Sequence, residues 1–393
     1  MPNIFHKAWR RGRSFLPVDG FAFGRPIVVL QSDDWGRVGV RDRECWEQLR
    51  ASGLNLGERT YDFYSLETAE DVAATVSLLQ KHRDSSGRAA SIGMNFILAN
   101  VDCEKVSTNH FQNIYLLPLA ESLPEGWQRP GLFQSYQEGI SLGSLSPAFH
   151  GVTHFCRRAV ERYLKDPGER GVLLRNLWNA GVPYIHWRMP WVGFEYWDPQ
   201  AKEQEGFLSS IEQEALIVSG VKSFRQFFSK PPRSACAPGY RADRGTYDAW
   251  AKCGIQVAQN GPASARAPHF DMNGILHLYR SLDFEPAVLP DFSVEACVKL
   301  AEHHIARGLP AIVSVHSINF HSAIKDFRTR TLRLLDEFLT ALEAKHPDIL
   351  YLRDEELYDL VDKGTLQSTE SSVRVPVTKR KFTPRWIAAG RRA

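Results

Sequence analysis

Two aspartates stand side by side in QSDDWG, Asp33 and Asp34, directly after an apolar, β-branched run at 26–31 (PIVVLQ). At the end of a strand, adjacent carboxylates can point different ways, one to a metal ion and one to a water held by that ion. The other use of such a residue is to cap the next helix or brace a turn. His150 and His154, in SPAFHGVTHF, are spaced i, i+4, which places both imidazoles on one side of a helical turn and suits chelation of one divalent ion. With Asp34 they form an N/N/O set that leaves positions open for water and substrate, the pattern of a catalytic metal. His316 ends AIVSVH, and an imidazole there can protonate a leaving group because its ordinary pKa lies near neutrality. In APGYR at 237–241, Gly239 lets the backbone approach a ligand, and a free amide near Tyr240 could face an oxyanion, unless the segment is only a tight strand-to-helix turn. The aromatic run at 184–197, which holds His186, reads either as a sugar-stacking wall or as an apolar lid. Asp283 and Glu285 either orient a group in the site or end a strand.

These residues need elements to hold them. Short apolar or β-branched runs at 26–31, 90–98, 146–149, 234–237, 255–258, 276–279 and 311–315 predict strands. Amphipathic stretches at 41–52, 68–83, 155–165, 207–228, 245–253, 293–306 and 326–345 predict helices. Strands that alternate with helices are parallel strands joined by crossovers, in a doubly wound sheet or a closed barrel. Both put ligands at the carboxyl ends of the strands, where the polar motifs fall. No GxGxxG or GxxxxGK[ST] follows a strand, which argues against nucleotide binding.

The chain has 393 residues, 43% apolar and 24% charged, enough to bury a large core. Its net charge of +3 is unevenly spread. Lys7, Arg10, Arg11 and Arg13 lie in a basic arm at 1–24, and seven Lys or Arg residues lie in a basic tail at 364–393, expected to be structureless, which leaves 25–363 acidic. A folded body of that sign excludes one that grips nucleic acid. The basic ends fit loose attraction to an anionic surface, membrane included. No apolar run is long enough to span a membrane, and six scattered cysteines without CxxC pairs suit reduced thiols, so a cytoplasmic setting is expected.

In their order along the chain, SDDWG at 32–36, HGVTH at 150–154, APGYR at 237–241 and VSVH at 313–316 resemble the motifs of the polysaccharide deacetylase superfamily, also called the NodB homology domain or carbohydrate esterase family 4. YDFYSLETAEDV at 61–72, NFILANVD at 95–102, FEPA at 284–287 and PAIVSVHSINF at 310–320 are similar to a branch in which S-D-D-W-G opens the domain, and the resemblance covers about 25–362. It implies an α/β fold, a distorted (β/α) barrel with about seven parallel strands. It also implies one divalent ion on Asp34, His150 and His154, zinc first and cobalt, nickel or manganese otherwise, with Asp33 as base and His316 as acid. Gly151 stands where the family has Ser or Thr. Ala237 stands where an arginine orients the base, with Arg241 close enough to substitute. The implied activity is removal of an N- or O-linked acetyl group from a poly- or oligosaccharide, releasing acetate. Two other classes are a metal-independent glycoside hydrolase built on paired carboxylates and an inactive glycan-binding protein of the same fold.

Overall fold

The computed structural model describes residues 18–54, 56–183, 189–262, 266–367 and 372–382. Its centre is a ten-stranded, mostly parallel sheet with helical crossovers, an α/β fold. Seven strands carry it: β1 (Ile27–Trp35), β2 (Ile92–Phe96), β3 (Leu145–Phe149), β4 (Ser234–Cys236), β5 (Val257–Asn260), β6 (Leu276–Tyr279) and β7 (Ala311–His316). Their order in the sheet is β7-β1-β2-β3-β4-β5-β6. All seven match predicted runs, with ends shifted by a few residues. In this sheet the strands beyond the expected seven are the two-residue pieces Leu282–Asp283, Leu350–Tyr351 and His269–Phe270, too short to show any alternation in the sequence. Among the described residues of this sheet, only His269–Phe270 runs antiparallel to its neighbour. After β6 the chain crosses from one outer strand to the other: Arg280 donates its amide to Asn260 at 3.2 Å, and Ser281 donates to Ile312 at 2.8 Å.

All nine residues of β1 are buried, because β7 pairs on one side, β2 on the other, and helices cover the faces. A parallel strand in that position has no wet face and shows no period-two pattern. The helices begin where side chains satisfy their first amides. Thr68 with Asp71 starts Ala69–Leu79, and Ser209 with Glu212 starts Ser210–Phe228, both as capping boxes. Trp35, Phe96, Phe149, Phe284, Phe320 and Phe338 fill the main core between sheet and helices.

The segment after Lys363 departs from the structureless tail expected of it. Thr365–Gln367 pairs with Ser372–Arg374, and Val377–Phe382 pairs antiparallel with Val18–Phe23 from the amino-terminal arm. Its few apolar residues show no periodicity in sequence, yet Val375 packs with Phe23 and Ile27, and Phe382 with Ala22, Ala267 and Leu309. Among the described residues, no helix is long and apolar enough to cross a membrane.

Candidate metal centre

The site is built at the carboxyl end of β1. The β1–β2 register shifts between Ser32 and Trp35, and Asp34 adopts φ 73°, a left-handed backbone that Asp tolerates better than most residues. Regular pleating would send Asp33 and Asp34 to opposite faces; the irregularity brings both carboxylates into one pocket. Tyr64 and Ser317 donate their hydroxyls to the Asp34 carbonyl, and Gly36 donates its amide to Glu67 at 2.9 Å, which fixes the turn.

Asp34, His150 and His154 converge. Asp34 Oδ1 lies 3.3 Å from His154 Nε2 and 3.7 Å from His150 Nε2, and all three residues are buried. His150 Nδ1 is 2.7 Å from the Cys236 carbonyl, a contact that holds the proton on Nδ1 and turns the Nε2 lone pair into the pocket. The pair does not sit on a helical turn, however. Gly151 has φ 114°, the amides of Val152 and Thr153 bond to the Glu195 carboxylate, and the following helix starts only at Arg157.

These residues could hold one divalent ion. The buried Asp34 Oδ1 has no hydrogen-bond partner, the three candidate ligand atoms lie within 4.8 Å of one another, and two imidazoles with one carboxylate suit zinc and its neighbours. Burial alone would raise the Asp34 pKa, but Arg37, 3.6 Å from Oδ2, and the two histidines outweigh it and hold the carboxyl well below its usual range.

Asp33 faces the same pocket. Burial would raise its pKa too, and Arg280 reverses the sign with a two-pronged contact, Nη2 to Oδ1 at 2.6 Å and Nη1 to Oδ2 at 2.7 Å. Asn95 adds a third hydrogen bond to Oδ1 at 2.6 Å. Asn95, Gln259 and Gln31 continue this polar network through the sheet to Asp354. The arginine that orients Asp33 is thus Arg280 and not Arg241. The Arg241 guanidinium is exposed and stacks 4.6 Å over the Trp197 ring. A single arginine after a short strand carries no motif, so only the crossing of the chain at 280 reveals Arg280.

Tyr240 also differs from expectation. Its amide donates to the Ala237 carbonyl at 2.8 Å and is not free for an oxyanion, whereas its hydroxyl accepts from Arg280 Nη1 at 2.6 Å and lies 3.5 Å from Asp33 Oδ2. A φ of 56° aims the ring inward.

His316 pairs with Asp33 across the β7–β1 register, its Nε2 3.9 Å from Asp33 Oδ2. Glu285 bonds His316 Nδ1 at 2.6 Å and accepts its amide at 2.9 Å, and Asn319 donates to the other Glu285 oxygen. Burial would lower the imidazole pKa, but the Glu285 carboxylate raises it to about 9. Of the two acids noted in SLDFEPA, Glu285 is the one that orients a site residue. His186 and its neighbours at 184–188 lie outside the described residues; from the rest of that aromatic run, Phe194 packs 5.5 Å from the His154 ring.

Fold and site together define an α/β protein with a buried carboxylate–imidazole cluster beside a second, arginine-held carboxylate. No family model and no curated protein matches the chain. Among solved structures it is similar to a Mycobacterium smegmatis protein described as a polysaccharide deacetylase, at 12% identity over 88% of this chain and 94% of that one, TM-score 0.43. It is also similar to a family 4 carbohydrate esterase from Streptomyces lividans in complex with acetate, at 11% identity over 84% and 92%, TM-score 0.34. A carbohydrate esterase family 4 pseudoenzyme from Bacillus anthracis aligns at 10% identity over 86% and 66%, TM-score 0.35. Likenesses of this strength leave the functional reading to the site.

Proposed function

We propose that this chain is a metal-dependent hydrolase that removes acetyl groups from N- or O-acetylated sugars of a poly- or oligosaccharide, on a sheet curled into a distorted (β/α) barrel. The observation that carries the reading is the convergence of Asp34, His150 and His154 around a buried Asp34 oxygen that has no hydrogen-bond partner, with Asp33 and His316 beside them. The acetylated sugar comes from the motif resemblance, and the passage of 276–283 between both outer strands supports the barrel. Scattered free cysteines are consistent with a cytoplasmic setting.

Asp34, His150 and His154 would hold the ion, zinc first, which when bound supplies an acidified water and a polarised carbonyl. Asp33, kept ionised and aimed by Arg280 and Asn95, takes the proton of the attacking water. Water oxygen bonds to the acetyl carbon as the carbon–nitrogen or carbon–oxygen bond to the sugar breaks. His316, kept protonated by Glu285, gives its proton to the departing amine or alkoxide, and acetate remains. The Tyr240 hydroxyl, rather than its amide, is the group from that segment that faces this chemistry.

The test is metal content by mass spectrometry on wild type, His150→Ala and His154→Ala prepared alike, followed by an acetate-release screen over acetylated oligosaccharides. About one ion per chain, lost in both variants, with acetate release by wild type alone, is expected. A wild type that takes up no metal after reconstitution overturns the reading.

A further inference from the structure

The turn between the two histidines raises a question that its own residues do not answer. His150-Gly151-Val152-Thr153-His154 is not helical, so the amides inside it lack helical acceptors, and a buried amide left without an acceptor is costly. Their acceptor comes from a distant loop. Glu195 Oε1 accepts the Val152 amide at 2.8 Å and the Thr153 amide at 2.9 Å, and Glu195 is itself 2% exposed. The other oxygen fills the space beside Gly151, where an added Cβ would lie 2.3 Å from Oε2 and 3.0 Å from the carboxyl carbon. Gly151 is therefore fixed twice, by its φ of 114° and by this carboxylate.

The loop that carries Glu195 is braced against the same turn. Phe194 and Trp197 exchange backbone hydrogen bonds of 2.9 and 2.8 Å, Cys156 donates its amide to Val192 at 3.0 Å, and the Phe194 ring packs on His154. A carboxylate in this position does for the histidine turn what Cys236 does for the His150 ring: it removes freedom from groups that must face one point.

We propose that Glu195 is a positioning residue of the metal centre, its carboxylate standing where a side chain at 151 would stand and clamping the His150–His154 turn through two amides, so that it sets the affinity for a divalent cation. This rests on the metal reading above. Nothing about the role requires contact with substrate or ion; it acts through the two histidines.

The test is zinc titration of the full chain, stripped with a chelator, by calorimetry and by competition against a chromophoric chelator. Glu195→Ala is expected to weaken zinc about 10- to 100-fold, as is usual when a partner of a ligand is lost. Glu195→Gln, which keeps an acceptor oxygen, stays close to wild type. Glu195→Asp draws the oxygen back by one methylene and serves if the alanine variant fails to fold; it is expected to lose about tenfold. Gly151→Ala weakens zinc in the wild-type background, and its added loss is smaller in Glu195→Ala, because the group it collides with has gone. If wild type binds zinc and the Ala and Asp variants bind it equally well, this proposal fails while the metal reading stands. If wild type binds none, the metal reading fails and takes this one with it.

Discussion

Replacing Glu285 with Gln changes one charge and almost no volume, and the structure says where the effect should appear. Glu285 bonds Nδ1 of His316, whose pKa is raised to about 9 although burial opposes it; Asp33 and Asp34 add to the rise, but Glu285 is the largest contributor. Relative to the ordinary 6.5, that gap is worth about 3 kcal/mol. The side chain is 27% exposed and Asp33 remains 3.9 Å away, so the variant should keep at most part of the rise and titrate between about 6.5 and 7.5. The direct assay is carbon-detected NMR titration of the imidazole in metal-free protein, with His316→Gln to assign the signal. For activity, the alkaline limb of kcat/KM should move down by the same interval. At about pH 8 the protonated fraction, and with it acetate release, should fall about 4- to 30-fold, while release well below the new midpoint stays near wild type. A midpoint unmoved from about 9 would refute the Glu285 assignment, and an equal loss at every pH would refute His316 as the acid.

Other outcomes follow from the same contacts. Arg280→Met leaves the buried Asp33 charge without its partner and should destabilise the fold by about 3–5 kcal/mol in urea unfolding, whereas Arg241→Ala, which removes an exposed contact with Trp197, should change it by less than about 1 kcal/mol. Truncation after Lys363 removes the strand that covers Phe23 and Ala22 and should lower the midpoint of thermal unfolding; an unchanged midpoint would mean that the ribbon contributes nothing. The raised His316 pKa also fixes the sign of a stability profile. The folded state binds that proton more tightly than the unfolded chain, so its contribution is full below about 6.5 and is lost as pH rises through about 9. Urea midpoints should fall across that window in wild type and stay flatter in Glu285→Gln.

The central strands and the three candidate ligands were legible in the sequence because each is a local pattern: PIVVLQ, AIVSVH and the spacing of two histidines. What the sequence does not show are details set by distant partners. The helical turn expected at His150 and His154 rested on spacing alone, and spacing cannot see Glu195 take the amides of Val152 and Thr153. Arg241 is close to the site in sequence, but Arg280 is close in space, because the chain crosses between the outer strands at that residue. At Tyr240 the sequence points to a backbone amide, yet that amide is spent on Ala237 and the hydroxyl faces Arg280, a distinction set by one backbone angle. Of the strands after Lys363, Val377–Phe382 has its partner, Val18–Phe23, at the other end of the chain, and Thr365–Gln367 and Ser372–Arg374 pair with each other without an apolar period to show it in the sequence.

That pairing has a practical side. Val18 and Phe382 are cross-strand neighbours, and the ribbon hangs from Pro268 and Gly308, in the segments that lead into β6 and β7, away from the strand ends that carry the aspartates and histidines. With residues 1–17 and 383–393 removed, a short linker could therefore join residue 382 to residue 18 and make the polypeptide a ring. Opening such a ring in a surface loop would give a circular permutant whose new ends lie wherever an experimenter wants a fluorophore or a surface tether, with the pocket left as it is.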